Sequence, residues 1–241
     1  MSIYTRSYND STDREQVMSV FEEGILAGAP KSLLQVPPLF IDAFGGFKII
    51  IFGVILYAIL IGSLFHFVHI DSLRFASFSA FTIISGTFLY FVKVSLDALL
   101  AAYIKRSKET DLKNIDEHYL KSPSTHFWVA VDSETDQIVG MVAADIKKDE
   151  PKIAELRRLS CRSDYRGIGV AKLLLDTLEH FCNEMGYEKV YLVTISLNKP
   201  AVRFYEKNGF NRIKDSNYTQ IPLYIPVSFP TFEKTIHKKM Q

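Results

Sequence analysis

The 241-residue sequence predicts an α+β (mixed α/β) domain interrupted by a two-helix transmembrane hairpin. Three observations carry that prediction. Two long runs without charge, residues 49–65 and 75–92, lie close together in the first half of the chain. Around them, short β-branched and aromatic runs alternate with segments of helical periodicity. A glycine-rich turn, residues 166–172, follows a strand-like run and opens an amphipathic helix.

The totals narrow the function classes. Lys and Arg number 28 against 27 Asp and Glu, a net charge of +1. That balance excludes a nucleic-acid binder held by bulk positive charge. The two cysteines, Cys161 and Cys182, make neither a disulfide framework nor a zinc site by themselves, so buried thiols and no metal are expected. Met1–Gln16 lacks an early apolar run, so no secretory leader is expected.

Taken in order, Ser2–Tyr8 reads as a short strand. Asp10–Gly28 reads as a helix, with Val17, Val20, Phe21 and Ile25 on one face. Ser11 or Asp13 is its expected cap, and Gly24 or Gly28 its end. Pro30, Pro37 and Pro38 make the approach to residue 46 irregular. Ile49–Phe65, extended to Ile70, has the length to cross a hydrocarbon core, and Phe75–Val92 follows after the short link Asp71–Arg74. A soluble helix keeps a polar face, and neither run has one. Lys93 and Asp97 stand four apart and are expected to pair. Lys31, Lys48, Lys105, Arg106 and Lys108 outnumber Arg74 at the turn, which puts both chain ends in the cytosol. The expected units are an N-terminal strand and helix (1–46), the hairpin (47–104) and a main domain (105–241).

In that main domain, Asp111–Leu120 is a short helical stretch. Phe127–Asp132 and Gln137–Asp145 form a hairpin about Glu134–Asp136. Lys152–Cys161 is a strand. Gly167–Met185 is a helix with Val170, Leu174, Leu178, Phe181 and Met185 on one face, stopped by Gly186. Lys189–Ser196 is a strand, Lys199–Asn208 a helix, and Asn211–Lys214 and Phe232–Lys238 the last strands.

The turn Arg166-Gly167-Ile168-Gly169-Val170-Ala171-Lys172 carries the chemistry. Glycines let a ligand approach the backbone, and the first amides of a helix lack partners within it. With the helix dipole they make a site for an anion such as a pyrophosphate. Arg166 and Lys172 add positive charge. The spacing matches neither a P-loop nor a dinucleotide fingerprint.

Two strings together go further. Arg166-x-x-Gly169-x-Ala171 resembles the acetyl-CoA signature of the GNAT N-acetyltransferase superfamily. Asn198-Lys199-Pro200-Ala201-Val202-Arg203-Phe204-Tyr205-Glu206-Lys207-Asn208-Gly209-Phe210 resembles its N-x-x-A-x-x-F-Y-x-x-x-G-F motif. Phe127–Val131, Arg158–Gly167 and the place of the hairpin are similar to the camello-like membrane N-acetyltransferases, a branch with cysteine-S-conjugate, aspartate and protein-lysine acetyltransferases.

The resemblance implies the GNAT fold and acetyl transfer from acetyl-CoA to an amine, a small molecule or a lysine side chain, at the endoplasmic reticulum membrane. It implies that backbone groups of Leu159, Ser160 and Cys161 line the pantetheine arm. Amides from Arg166 through Gly167, Ile168, Gly169, Val170 and Ala171 to Lys172 would hold the pyrophosphate. Asn198 would contact the cofactor or fix the splayed strand, and Tyr205 would be the general acid. Glu155 is the expected base, with His126 behind it, and Arg157 or Arg158 would suit an anionic acceptor. A membrane adaptor that keeps the fold without activity is the non-enzymatic alternative.

Overall fold

The computed structural model describes residues 2–27, 71–196, 198–217 and 228–236. Among the described residues, thirteen elements follow one another in chain order. They are β1 (Ile3–Ser7), α1 (Asp10–Leu26), α2 (Asp71–Glu109), β2 (His126–Asp132), β3 (Gln137–Ile146) and β4 (Ile153–Cys161), then α3 (Val170–Glu184), β5 (Lys189–Val193), α4 (Lys199–Lys207), β6 (Asn211–Asn217) and β7 (Ser228–Thr235). A π-helical turn at Asp116–Leu120 and a 3-10 turn at Ser163–Tyr165 complete the set.

The strands form one seven-stranded sheet in the order β1-β2-β3-β4-β5-β7-β6. β1 to β4 are an antiparallel meander, β4 and β5 are parallel, and β7 returns antiparallel beside β5. Strand alternation gives the sheet two apolar faces. Val17, Val20 and Phe21 of α1 cover Phe127, Val129, Val131, Met141 and Ala143 on one. Val170, Leu174, Leu175, Leu178 and Cys182 of α3 cover Trp128, Ala130, Val142, Ala154 and Leu156 on the other.

Several expectations shift by a residue or a turn. The cap of α1 is Asn9, whose side chain accepts from the Ser11 N–H, and not Ser11 or Asp13. Asp13 is instead buried, where it takes Arg6 Nη2 at 2.9 Å and the Asn9 N–H at 2.9 Å. On α3 the inward row passes through Leu175 and Cys182, while Met185 lies past the helix end and is 40% exposed. β5 stops at Val193, and the last strand begins at Ser228, earlier than its apolar pattern suggests.

Two compact units are present, one of Met1–Gly28, Leu100–Ser216 and Phe229–Gln241, the other of Ala29–Leu99 and Asn217–Ser228. The first apolar run, its flanking Lys31 and Lys48, Gly28 and the proline-rich approach lie outside the described residues. The second run does not begin after a link at Asp71–Arg74. Those four residues are the first turn of α2, which continues without a break for 39 residues. Among the described residues, no helix is long and apolar enough to cross a membrane, so the second half of the expected hairpin lacks that support. Lys93 and Asp97 do pair on α2, at 2.5 Å.

Candidate active site

The site begins where the sheet opens. β4 and β5 pair only at Ile153↔Lys189, Ala154↔Val190 and Glu155↔Tyr191. Beyond Tyr191, β5 stays with β7 through Leu192↔Phe232 and Val193↔Thr231, while β4 runs on to Cys161 without it. A V-shaped gap therefore separates Leu156–Cys161 from β5. The backbone groups of β4 that face the gap can add an extended arm as a further strand would. Arg162 N–H donates to Val139 C=O at 2.9 Å on the β3 side, so strand alternation turns the Cys161 N–H toward the gap.

At the end of β4, the 3-10 turn leads into the glycine cradle. Gly167 has φ 81° and Gly169 φ 98°, in the left-handed region, and a Cβ on either would meet open space. Gly169 is the N-cap of α3, with no side chain to satisfy the amides after it. Leu173 N–H reaches Gly169 C=O at 3.0 Å, while the amides of Gly167 through Lys172 have no hydrogen-bond partner among the described residues. Unpaired amides at the positive end of a 15-residue helix suit a pyrophosphate. The gap and the cradle are continuous along the chain, so these residues fit acetyl-CoA: pantetheine along Leu159–Cys161, pyrophosphate at 167–172. Around the cradle, Arg166 lies beside the Cys161 carbonyl, with Nη2 at 3.4 Å. Lys172 is engaged by Asp176 one turn on, so its charge is largely compensated at the cradle. Glu23 of α1 accepts the Ser163 N–H at 2.6 Å, and hydrogen bonding from the Ser163 hydroxyl and N–H, with Arg162 and Arg166 nearby, holds its carboxyl below the usual range.

Ser160 and Asn198 take roles other than direct cofactor contact by their side chains. Ser160 Oγ donates to the Val20 carbonyl of α1 at 3.1 Å, on the face away from α3. Asn198 is the N-cap of α4, accepting the Ala201 N–H at 3.3 Å, a cap of the kind that stabilises a helix by about 1 kcal/mol. It thereby fixes the helix that carries Tyr205.

Tyr205 is buried at 7% exposure, edge-on to Phe210 at 5.6 Å and beside Phe232 at 6.1 Å. Burial, and then proximity to Cys161, raise its phenol well above the usual range, so it stays protonated. Burial pushes the Cys161 thiol up to about 12, against a smaller pull from Arg166. Both groups lie on the α3 side of the sheet.

Glu155 alternates with the buried Ala154 and Leu156, so it points to the opposite, α1 side. Burial raises its carboxyl, Arg157 lowers it, and Asp145 and Asp111 add to the rise. Arg157 Nη1 donates to Asp145 Oδ2 at 2.9 Å, and its Nε lies 3.9 Å from Glu155 Oε1. His118 Nε2 meets the same Asp145 oxygen at 3.0 Å.

The two arginines do not alternate in and out. A bulge places Arg158 and Leu159 together opposite Val142, with Arg158 at φ 58°. Both guanidinium groups then reach the α1 side. Arg158 is used up on Asp111, with Nε to Oδ2 at 2.9 Å, and its side chain is only 6% exposed. Burial disfavours the Asp111 charge, but the hydrogen bonds and charge of Arg158 outweigh it and hold that carboxyl well below the usual range. His126 lies on the α3 side, bonded to Ser7 Oγ at 2.7 Å and packed on Trp128 and Phe181, away from Glu155.

Sequence reasoning missed Asp111 and Asp145, the carboxylates that pair with Arg158 and Arg157. One signal pointed to them. Glu155, Arg157 and Arg158 are charged residues within a central strand, where they need partners of opposite charge. Spacing alone does not say which.

A model of the acetyltransferase (GNAT) family matches residues 94–210. N-acetylaspartate synthetase of Danio rerio is 30% identical over 220 residues, 91% of this chain and 71% of that protein. N-acetyltransferase 8 of Mus musculus is 37% identical over 133 residues, 54% of this chain and 58% of that protein. Among solved structures, the PaiA N-acetyltransferase of Thermoplasma acidophilum, in complex with coenzyme A, has a TM-score of 0.54 at 17% identity. It covers 98% of this chain and 99% of that one.

Proposed function

We propose that this chain, which belongs to the acetyltransferase (GNAT) family in its camello-like branch and is an acetyl-CoA-dependent N-acetyltransferase, acetylates the amine of a small amino acid or cysteine S-conjugate at a membrane. One observation carries the mechanism. Glu155 and Tyr205 stand on opposite faces of the sheet at the same opening. An amine can then be deprotonated on one side while a leaving thiolate is protonated on the other.

Acetyl-CoA supplies a thioester as acetyl donor. Glu155, its carboxyl raised by burial, accepts the proton from the attacking amine. The Cys161 N–H faces the gap and is a donor for the oxygen on which negative charge develops. Tyr205, held protonated, gives its proton to the departing sulfur. Arg157, whose Nη1 is taken by Asp145 at 2.9 Å, keeps a side chain 30% exposed beside Glu155, and its remaining N–H groups can add hydrogen bonds to the carboxylate of an amino-acid acceptor. The name of the Danio rerio relative supports an acceptor of that class.

The test is thiol release from acetyl-CoA by detergent-solubilised protein, with aspartate, a cysteine S-conjugate and a lysine peptide. Turnover is expected with one of the two small acceptors. Glu155 works ionised and titrates above the free glutamate value of about 4.3. Activity therefore rises as pH increases through that raised value. Glu155→Gln should lower kcat by about 100-fold and flatten this limb. Turnover with the peptide alone would overturn the small-acceptor reading, and an unchanged limb would overturn the base.

For location, we place the catalytic domain on the cytosolic face of the endoplasmic reticulum. The membrane part of this reading is supported by the uncharged runs 49–65 and 75–92 and by Ile83, Ile84, Tyr90 and Phe91, exposed along α2, and the cytosolic side by Lys105, Arg106 and Lys108 against the single Arg74. Protease added to sealed microsomes should digest the domain. Protection until detergent is added would reverse the orientation, and recovery outside the membrane pellet would remove the anchor.

A further inference from the structure

Arg158 sits at a backbone position that suits glycine. In a bulge with its extra residue in the left-handed region, glycine is the usual occupant, because a Cβ is disfavoured there. Here the residue at φ 58° is an arginine, and its side chain is gripped from outside the strand. Asp111 takes Nε at 2.9 Å and Nη2 at 2.5 Å. Nη1 donates to Ser107 Oγ at 3.0 Å and Tyr103 OH at 3.1 Å. Asp111 is itself buried at 3% exposure, and Tyr119 OH donates to it at 2.5 Å. Tyr103 and Ser107 belong to the last two turns of α2, and Asp111 and Tyr119 follow it within a few turns of chain.

We propose that Asp111 and Arg158 are a positioning pair for acetyl transfer: their buried ion pair holds the β4 bulge in the register that presents the Leu159–Cys161 backbone to the thioester. Neither side chain touches the reacting atoms. The bulge lies in the stretch of β4 that has already left β5 after Glu155, and β4 stays paired with β3 beyond it at Met141↔Ser160. Without the tether, an arginine at positive φ relaxes toward the ordinary extended region, and the extra residue is absorbed into the strand. A one-residue slip there turns each of Leu159, Ser160 and Cys161 to the wrong face. The proposal rests on the N-acetyltransferase reading only for its kinetic readout.

Three variants of the full chain in detergent test it: Asp111→Asn, Arg158→Gly and the double variant. Asp111→Asn should lower kcat by about 100-fold, as misplaced reacting groups do, with the acetyl-CoA KM changed by less than about threefold. Arg158→Gly should stay within about fivefold of wild type, because glycine holds the same φ without a tether. The double variant should match Arg158→Gly, since glycine no longer needs Asp111. Hydrogen exchange of peptide 153–161 without any acceptor should be faster in Asp111→Asn alone. Wild-type kcat in Asp111→Asn overturns the proposal. So does an Arg158→Gly enzyme about 100-fold slower with the peptide still protected, which would make the guanidinium a substrate contact. If Asp111→Asn does not fold, the two glycine variants still decide. Should wild type turn over no amine, the exchange measurement decides alone, and the failure belongs to the acceptor reading.

Discussion

Tyr205→Phe should reduce kcat by about 100-fold or more while leaving the acetyl-CoA KM nearly unchanged. The substitution removes one oxygen and keeps the ring. The ring packs Phe210 and Phe232 at 5.6 and 6.1 Å, so the core around α4 is preserved. The lost function is then proton delivery to the departing sulfur. Thiol release at saturating acetyl-CoA, beside a melting curve for each protein, separates the two effects. A variant with normal kcat would make Tyr205 a packing residue, and the acid would have to be sought elsewhere.

Gly140→Val should destabilise the catalytic unit by about 3 kcal/mol, the upper part of the range for overpacked cores. A Cβ at this position in β3 would lie 2.8 Å from Leu174 Cδ1, 2.9 Å from Val170 Cγ1 and 3.1 Å from the Ser160 carbonyl oxygen. Two of those atoms belong to the first turns of α3, and the third is backbone of β4. Leu174 Cδ1 can swing aside, but Val170 Cγ1 sits close to its backbone and the Ser160 oxygen is backbone, so relieving those two contacts moves the start of α3 or the end of β4. The same change should therefore raise the acetyl-CoA KM, by about tenfold, in whatever fraction remains folded. Urea unfolding followed by tryptophan emission reads the stability, since Trp128 lies in that core. An unchanged midpoint would mean that α3 does not pack on β3 as described.

Outside the two apolar runs, the order of elements was legible because it depends on local periodicity. Val17, Val20 and Phe21 repeat at helical spacing, and FWVAV and IVGMVA present both faces of a central sheet. The cradle was legible for the same reason. Gly167 and Gly169 announce their positive φ, and the helix they open follows at once. Tyr205 was legible only through the string around it, since a Phe-Tyr pair in a helix is otherwise ordinary core.

Read from the residues alone, the chain gave up its mixed α/β class, the glycine turn that opens α3, and the places of Glu155 on a strand and Tyr205 on a helix. The tertiary structure alone decided that these two stand on opposite faces, because the face of a residue depends on the register of every strand between. It also decided the fate of the arginine pair. Read along a regular strand, Arg157 and Arg158 point to opposite sides. The bulge at Val142 cancels that alternation and sends both toward Asp111, a residue 46 and 47 positions earlier whose burial no local pattern reveals. A charge buried beside a partner so distant in sequence is a property of the assembled sheet, since only packing brings the two together and removes the water between them.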